Sequence, residues 1–380
     1  MHDDEYHSAS KVTLRTDIIS RRYDDDRVPL NRPSVVQREE IARYLERVAG
    51  KQYRIVEMVE CAICGCPDRT AVARKDRYGI PMETVVCGRC GLIYSKDVLD
   101  ADSFRRFYTE QYRDMYEGVR FSGDEKNLDS CFRTRGLGPR FAANIVALSG
   151  LRPCATILEI GTGGGWNLFP FKEMGFRVRG YDFDERFLDA GRRRGLDLHR
   201  GSIGDAVRNG DKADLVLLVD VIEHFVDPVG DMREIDKLLN KGGGVFIKTP
   251  GMKASRYGRA EGDFLGNLQN AHLFLFEKAT LEMLMRKAGY RSVVCGEQIF
   301  GLFRPVDRPP AGFSGNAERG VEVVKNLRRL ERMRPYWNGL YSALKSRGRT
   351  DIYDKIVHGL AIVFNARYTL HVLRGRCCNS

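Results

Sequence analysis

Four cysteines stand in two pairs with the spacing of a metal knuckle. They are Cys61-Ala-Ile-Cys64 and Cys87-Gly-Arg-Cys90, with 22 residues between the pairs. A glycine follows each pair at once, Gly65 and Gly91, and permits the tight turn that aims two sulfurs at one ion. Four thiolates at this spacing suit a closed tetrahedral zinc site with no position left for a substrate, and hence a structural role. Cys66 competes with Cys64 for a place in the set but breaks the two-residue spacing. A redox pair or a group of buried free thiols is the other reading of the same residues.

A second set of chemistry-bearing residues begins at Ile157-Leu-Glu-Ile-Gly-Thr-Gly-Gly-Gly-Trp166, a short apolar run that enters a glycine-rich turn. Such a turn places bare backbone N–H groups and a helix start beside a ligand. The ligands that use it are a dinucleotide or S-adenosylmethionine (SAM). The dinucleotide fingerprint is Gly-x-Gly-x-x-Gly. Here Gly161, Gly163 and Gly165 give Gly-x-Gly-x-Gly, and Trp166 fills the place of the third dinucleotide glycine. Asp182 ends a second apolar stretch about 20 residues later, where an acid accepts hydrogen bonds from ribose hydroxyls. A plain tight loop and an exposed loop acid are the bland alternatives. Beyond it, Asp220 follows the apolar run Leu215–Leu218, Glu223 and His224 come next, and His272 lies in Ala271-His-Leu-Phe-Leu-Phe276.

Strands must hold these residues, and the apolar pattern predicts them at 156–161, 177–182, 197–201, 214–219 and 243–249. Helices are expected at 166–174, 184–194, 228–239 and 278–288. Alternation of this kind implies an α/β fold, Rossmann-like and doubly wound, with a mainly parallel sheet, helices on both faces and ligands at the carboxyl ends of the strands. Five segments follow. Residues 1–50 are a polar arm, unstructured to about 35, and a helix from Ser34 to Val48 with Ser34 as cap. Residues 51–100 are the four-cysteine ribbon, and 101–150 a helical linker that folds over the site. Residues 151–300 are the catalytic domain, and 301–380 a basic helical tail, with a helix from an Asn316 cap to Met333 and a second over 352–373.

From Thr156 to Val294 the landmarks resemble the class I SAM-dependent methyltransferases. They are Glu159-x-Gly-x-Gly-x-Gly, then Asp182, Asp220-Val-Ile-Glu-His224 and Gly242-Gly-Gly-Val-Phe-Ile-Lys-Thr-Pro250. The subgroup with the nearest pattern often serves glycan and small-molecule biosynthesis. Its members carry a similar N-terminal zinc ribbon, with a second knuckle that runs on as Cys90-Gly-Leu-Ile-Tyr94 and an aromatic segment like Phe107-Tyr-Thr-Glu-Gln-Tyr112. The resemblance implies roles. Gly161, Thr162, Gly163 and Gly165 would meet the methionine part of SAM, and Glu159 would brace the turn or reach the ammonium through water. Asp182 would take the ribose. Phe183, Ser202 and Ile203 would frame the adenine, and Asp220 would lie at the methionine end. Glu223 and His224 sit near the departing methyl, where His224 is either a general base or a structural group. His272 faces the acceptor or is a satisfied core histidine. Tyr108 and Tyr112 serve as core or as the substrate mouth, and the stretch 253–270, with Tyr257, Arg259 and Asn267, as an acceptor loop.

Composition sets the remaining bounds. Hydrophobic residues make up 43% and charged residues 30% of the 380, an ordinary balance for a chain that buries a large core. The sequence has no apolar run of the roughly 18 residues that span a bilayer, and its acidic start, Met1-His-Asp-Asp-Glu, has no secretory pattern. A cytoplasmic location is therefore expected. The net charge is +11, and residues 301–380 hold 15 Lys/Arg against 6 Asp/Glu, most of the excess. Such a tail is a solvated helical face or a surface for phosphates, nucleic acid or an anionic membrane. The expected reaction is transfer of a methyl group to the oxygen, with carbon or nitrogen as the alternative, of a sugar-containing or other small metabolite. The rival expectations are an RNA methyltransferase, which grips phosphates with ribbon and tail, and a non-catalytic scaffold that keeps the fold.

Overall fold

The computed structural model describes residues 14–118, 131–132, 136–251, 263–296, 299–307 and 318–347. The N-terminal part runs β1 (Leu14–Thr16), α1 (Val35–Ala49), β2 (Ile55–Glu57), β3 (Arg69–Lys75), β4 (Pro81–Cys87), β5 (Ile93–Ser95) and β6 (Asp97–Leu99). Two helices follow, α2 (Ala101–Glu110) and α3 (Tyr112–Glu117). The next elements are α4 (Pro139–Ser149), β7 (Thr156–Ile160), α5 (Phe169–Glu173), β8 (Arg177–Asp182), α6 (Glu185–Arg192), β9 (Asp197–Arg200), α7 (Ile203–Arg208), β10 (Ala213–Val219), α8 (Pro228–Asp236) and β11 (Leu239–Lys248). The chain then forms α9 (Phe264–Asn267), β12 (Phe274–Leu275), α10 (Lys278–Lys287), β13 (Tyr290–Cys295), β14 (Phe300–Pro305) and α11 (Arg319–Lys345).

Strand side chains alternate between two faces, and here both faces are apolar. Leu158, Ile160, Val216, Leu218, Val245 and Ile247 enter one core, together with Met232 and Ile235 of α8 and Leu281 and Leu284 of α10. Ile157, Leu215, Leu217 and Phe246 enter the other, with Ile145 of α4, Phe171 of α5 and Leu188 of α6. A strand buried on both faces belongs inside a layered sheet. β10 lies there, in a seven-stranded sheet of order β13-β14-β11-β10-β7-β8-β9. The five strands from β11 to β9 are parallel, and β13–β14 is an antiparallel hairpin against β11. The expected α/β architecture is present.

A second sheet carries the cysteines, with order β1-β3-β4-β5-β12. Its strand β12 comes from the far side of the catalytic domain in sequence. One face of this sheet packs under α11, where Val72, Ala73, Val86 and Ile93 meet Val323, Val324 and Leu327. The tail helix therefore lies on the cysteine-bearing sheet.

Several boundaries differ from the sequence reading. The arm is ordered from Leu14, where β1 pairs in parallel with β3. Ile19 and Tyr23 are buried beyond it, and Arg22 bridges Asp263 and Glu331. A few apolar anchors and one bidentate cation outweigh the polar composition that pointed to an unstructured segment. Helix α1 begins as expected, since the Ser34 hydroxyl accepts from Gln37 N–H and the Gln37 side chain accepts from Ser34 N–H. Helix α5 begins at Phe169 and not at Trp166. Gly163 and Gly165 hold the chain at positive φ, and Pro170 is tolerated only in a first turn. Helix α11 runs through Pro335 to Lys345, beyond the expected stop at Met333. The expected second tail helix, Asn316, Tyr257 and Arg259 lie outside the described residues, as does most of the stretch from 119 to 135.

Candidate active site and cysteine cluster

The glycine turn follows β7. Gly161 and Thr162 both donate their N–H to the Tyr181 carbonyl, at 2.8 and 3.0 Å, which ties the turn to the tip of β8. Gly161 has φ +70°, and a Cβ there would stand 2.5 Å from Val221 Cγ2. Gly163 has φ +55°, and a Cβ would meet the Trp166 ring at 2.6 Å. Glycine is required at both positions by backbone and by space. Trp166 stacks its edge on Phe187 with ring centres 5.6 Å apart and closes the turn from outside.

Glu159 lies beneath the turn, fully buried. Its carboxyl accepts from the Thr162 hydroxyl and from the Asn167 amide, both at 2.7 Å. Burial pushes its pKa up to about 8, against those two bonds. These bonds tie Glu159 to Thr162 of the turn and to Asn167 beyond it. Asp182 accepts from Gly163 N–H at 2.8 Å through Oδ2 and from Asp184 N–H at 2.9 Å through Oδ1. A carboxylate has about four lone-pair positions, so each oxygen retains one for a ligand. Arg113 Nη2 lies 3.7 Å from Asp182.

These groups border one cavity of about 1020 Å³. Gly161, Asp182, Phe183, Ser202, Ile203, Asp220 and His224 all lie on its wall. Gly201 precedes Ser202, which caps α7 in a reciprocal box with Asp205. Asp220 takes positive φ, +55°, at the tip of β10 and pairs with Lys248 of β11 at 2.9 Å. Glu159, Thr162, Gly163 and Gly165, expected at the cofactor, do not line the cavity.

The structure separates the three candidates for acid–base work. His224 reaches the wall from a single 3-10 turn, Ile222–His224. Its Nδ1–H donates to the Ala271 carbonyl at 2.7 Å, which leaves Nε2 as the nitrogen with a lone pair. The ring lies edge-on to Tyr108 and Tyr112, with centres 5.5 and 5.9 Å away. Burial lowers its pKa to about 4, so the imidazole is neutral at physiological pH. Glu223 is buried behind it, without a hydrogen-bond partner for either carboxyl oxygen, and burial followed by the Asp220 charge raises its pKa to about 8. His272 packs its ring 4.9 Å from His224 on the side away from the cavity, and it is not on the wall.

Sequence reasoning did not single out Arg113, Asn167, Val226, Asp231 or Lys248, all of which border the cavity. Lys248 had a signal, as the last residue of the strand beside Asp220. Asp231 had none, because its place in the first turn of α8 looks like ordinary helix chemistry. Burial, then Asp227 and Glu234, raise it to about 7. Tyr108 and Tyr112 stack with centres 4.2 Å apart and join the cavity wall from α2 and α3, which roof the site.

The cysteine cluster is carried by the N-terminal sheet, with Cys87 at the end of β4 and Cys90 just before β5. Cys61, Cys64, Cys87 and Cys90 bring their sulfurs within 4.8 Å of one another. Cys61–Cys90 and Cys64–Cys87 are 3.4 and 3.5 Å apart. Four sulfurs around a zinc ion stand about 3.8 Å apart at a Zn–S length of about 2.3 Å, so this donor set fits zinc. Cys66 points elsewhere, toward the Asp68 carbonyl at 3.9 Å. Gly65 and Gly91 take φ +65° and +74°, as the knuckle turns require.

A Rossmann-like sheet, a glycine turn at its carboxyl edge and an acid at the second strand tip meet at this cavity. Comparison with known proteins gives the following likenesses. Residues 131–295 match the family described as "Methyltransferase domain". A ubiquinone biosynthesis O-methyltransferase of Caulobacter vibrioides is 34% identical over 101 residues, 25% of this chain and 40% of that protein. The protein of the same name from Ruegeria sp. (strain TM1040) is 32% identical over 110 residues, 27% of this chain and 44% of that one. The match thus spans under half the length of these relatives. Among solved structures, magnesium protoporphyrin IX methyltransferase from Synechocystis PCC 6803 with bound SAH is 13% identical. It covers 54% of this chain and 98% of that one, with a TM-score of 0.37. Residues 131–295 thus carry the match to a methyltransferase domain, and a four-cysteine cluster precedes them in the chain.

Proposed function

We propose that this chain methylates a hydroxyl group of a sugar-containing or other small metabolite, and that its four cysteines hold a structural zinc ion. One observation carries the reading: a single cavity joins the glycine cradle and Asp182 to a wall of Tyr108, Tyr112 and His224. SAM, when bound, supplies a methyl group on a positively charged sulfur. Gly161 would offer bare backbone to it, Asp182 would take the ribose hydroxyls, and Phe183, Ser202 and Ile203, all on the cavity wall, would border the adenine. Tyr108 and Tyr112 exclude water and align the acceptor, and alignment alone supplies much of the rate for so reactive a donor. His224 Nε2 is placed to take the hydroxyl proton, a contribution typically of about 10²–10⁴-fold. Glu223 and His272 then support His224 from behind.

The relatives named above act, by their names, in ubiquinone biosynthesis as O-methyltransferases, which supports oxygen as the accepting atom. The RNA alternative has less support. On α11, Arg319, Arg328 and Arg334 pair with Glu277, Asp17 and Glu331, which leaves fewer cations for phosphates. The test is uptake of labelled methyl from SAM across nucleotide-sugars, free glycans, hydroxylated aromatics and RNA, with Asp182→Ala as control. Uptake by a hydroxylated small molecule, abolished in the control, is expected. Uptake by RNA alone would overturn the acceptor class.

A further inference from the structure

Leu273 occupies a singular position between the two sheets. Its N–H donates to the Glu223 carbonyl at 2.8 Å, and its own carbonyl accepts from Ser95 N–H at 2.9 Å. One peptide unit on either side of this residue thus touches the catalytic turn, and the other touches the last residue of β5. Two residues earlier, the Ala271 carbonyl holds His224 Nδ1–H. One and two residues later, Phe274 and Leu275 pair with Tyr94 and Ile93 of β5. Phe276 then bridges to Gly251 beyond β11. Residues 271–276 therefore form a strap stitched to the methyltransferase domain at its ends and to the cysteine-bearing sheet in its middle.

The other end of β5 leads straight to the cluster. Cys90 lies three residues before Ile93, and Cys87 N–H donates to the Leu92 carbonyl at 2.8 Å. Leu92, Tyr94, Leu273, Phe274 and Phe276 share one core with Cys61, Cys87 and Cys90, and all five are at most 1% exposed. Ile222, the residue before Glu223, is in that core too. Close-packed interiors transmit displacement and do not absorb it. The glycine turn, by contrast, is tied among the described residues to β7 and β8.

We propose that the strap couples the four-cysteine site to the active site, with Leu273 as the positioning residue: a filled cluster fixes β5, β5 fixes residues 271–275, and these fix the tautomer and direction of the His224 ring. The proposal rests on the reading of His224 as an active-site group, and assigns to the metal site a function beyond stability. Zinc needs only to hold the two knuckles in register; no step of the chemistry passes through it.

The test uses the full-length chain labelled with ¹⁵N-histidine, loaded with zinc, and compared with the same chain after chelation and with Cys90→Ser and Ser95→Pro. Ser95→Pro removes the N–H that Leu273 accepts and leaves every cysteine in place. The His224 signals, assigned by their loss in His224→Gln, report the tautomer, and calorimetry reports SAM affinity in parallel. In the loaded chain His224 is expected as the neutral Nδ1–H form. After chelation and in both variants it should shift toward the Nε2–H form usual for free imidazole, while SAM affinity stays within about threefold. An unchanged His224 tautomer in the emptied chain and in Ser95→Pro would overturn the coupling. A parallel loss of SAM affinity of tenfold or more would overturn it as well, because it would mean general loosening. Failure of the loaded chain to bind SAM at all would instead sink the methyltransferase reading, with the tautomer comparison still deciding the strap.

Discussion

Asp182 has two duties that a single substitution would separate from the rest of the fold. It holds the Gly163 N–H of the turn and keeps lone pairs toward the cavity. Asp182→Ala should weaken SAM binding by about 10–100-fold, the loss of one or two hydrogen bonds to a charged acceptor, and should also lower the thermal midpoint, because the Gly163 and Asp184 N–H groups lose their acceptor. Glu159 makes a different prediction. Its folded pKa of about 8 lies above the ordinary value, so the folded chain holds this proton more tightly than the unfolded chain. That stability is complete below about pH 4.5 and is lost as pH rises through 8, on the order of a few kcal/mol. Glu159→Gln should flatten this decline in thermal or denaturant melts between pH 5 and 8. An unchanged slope would place the titration elsewhere. His224 has its pKa lowered to about 4, and its neutral form is present throughout the neutral range. The acidic limb of kcat/KM should therefore lie near pH 4 to 5, and His224→Gln should remove the limb along with most of the rate. Asp182 and the glycines were legible because backbone chemistry restricts what can stand there. The low basicity of His224 and the retreat of His272 from the cavity were not, since both depend on the Ala271 carbonyl and on burial that no local spacing encodes.

At the level of elements, the parallel strands could be read because β10 and β11 are apolar on both faces, and a run such as Leu215–Leu218 has few other uses. Strand β12 could not be read, because it has two residues and exists only through its pairing with β5. The order of residues 14–34 was hidden for a similar reason: its anchors, Asp263 and Glu331, lie more than 240 positions away. Helix α11 meets the second knuckle with very little clearance. A Cβ on Gly320 would lie 2.6 Å from the Cys87 carbonyl oxygen and 2.7 Å from Gly88 Cα. Gly320→Leu should therefore lift the start of α11 from the knuckle and destabilise the chain by about 1–3 kcal/mol, read as a lower denaturant midpoint. Zinc affinity should fall in the same variant, and an unaffected midpoint would contradict the packing described.

For the molecule as a whole, the formal charge of +11 overstates what is free to meet a partner, since several tail arginines are paired within the chain. RNA binding at physiological salt should therefore be no tighter than the non-specific range of about 10⁻⁴–10⁻⁶ M and should weaken steeply with added salt. Filter binding across a salt series checks this, and nanomolar affinity at 0.15 M salt would revive the RNA acceptor. Among the described residues, no helix is long and apolar enough to cross a membrane. The strap at 271–276 links the cysteine-bearing sheet, through β12, to the turn after β10, and the cavity lies at the carboxyl edge of β7, β8 and β10. A crystal structure of the chain with S-adenosylhomocysteine tests this arrangement most directly. The account predicts the ribose hydroxyls within hydrogen-bond distance of Asp182, the adenine between Phe183 and Ile203, and the sulfur turned toward His224 and Tyr108. A nucleoside bound elsewhere, or a cavity closed by the protein's own side chains with no cofactor in it, would contradict it.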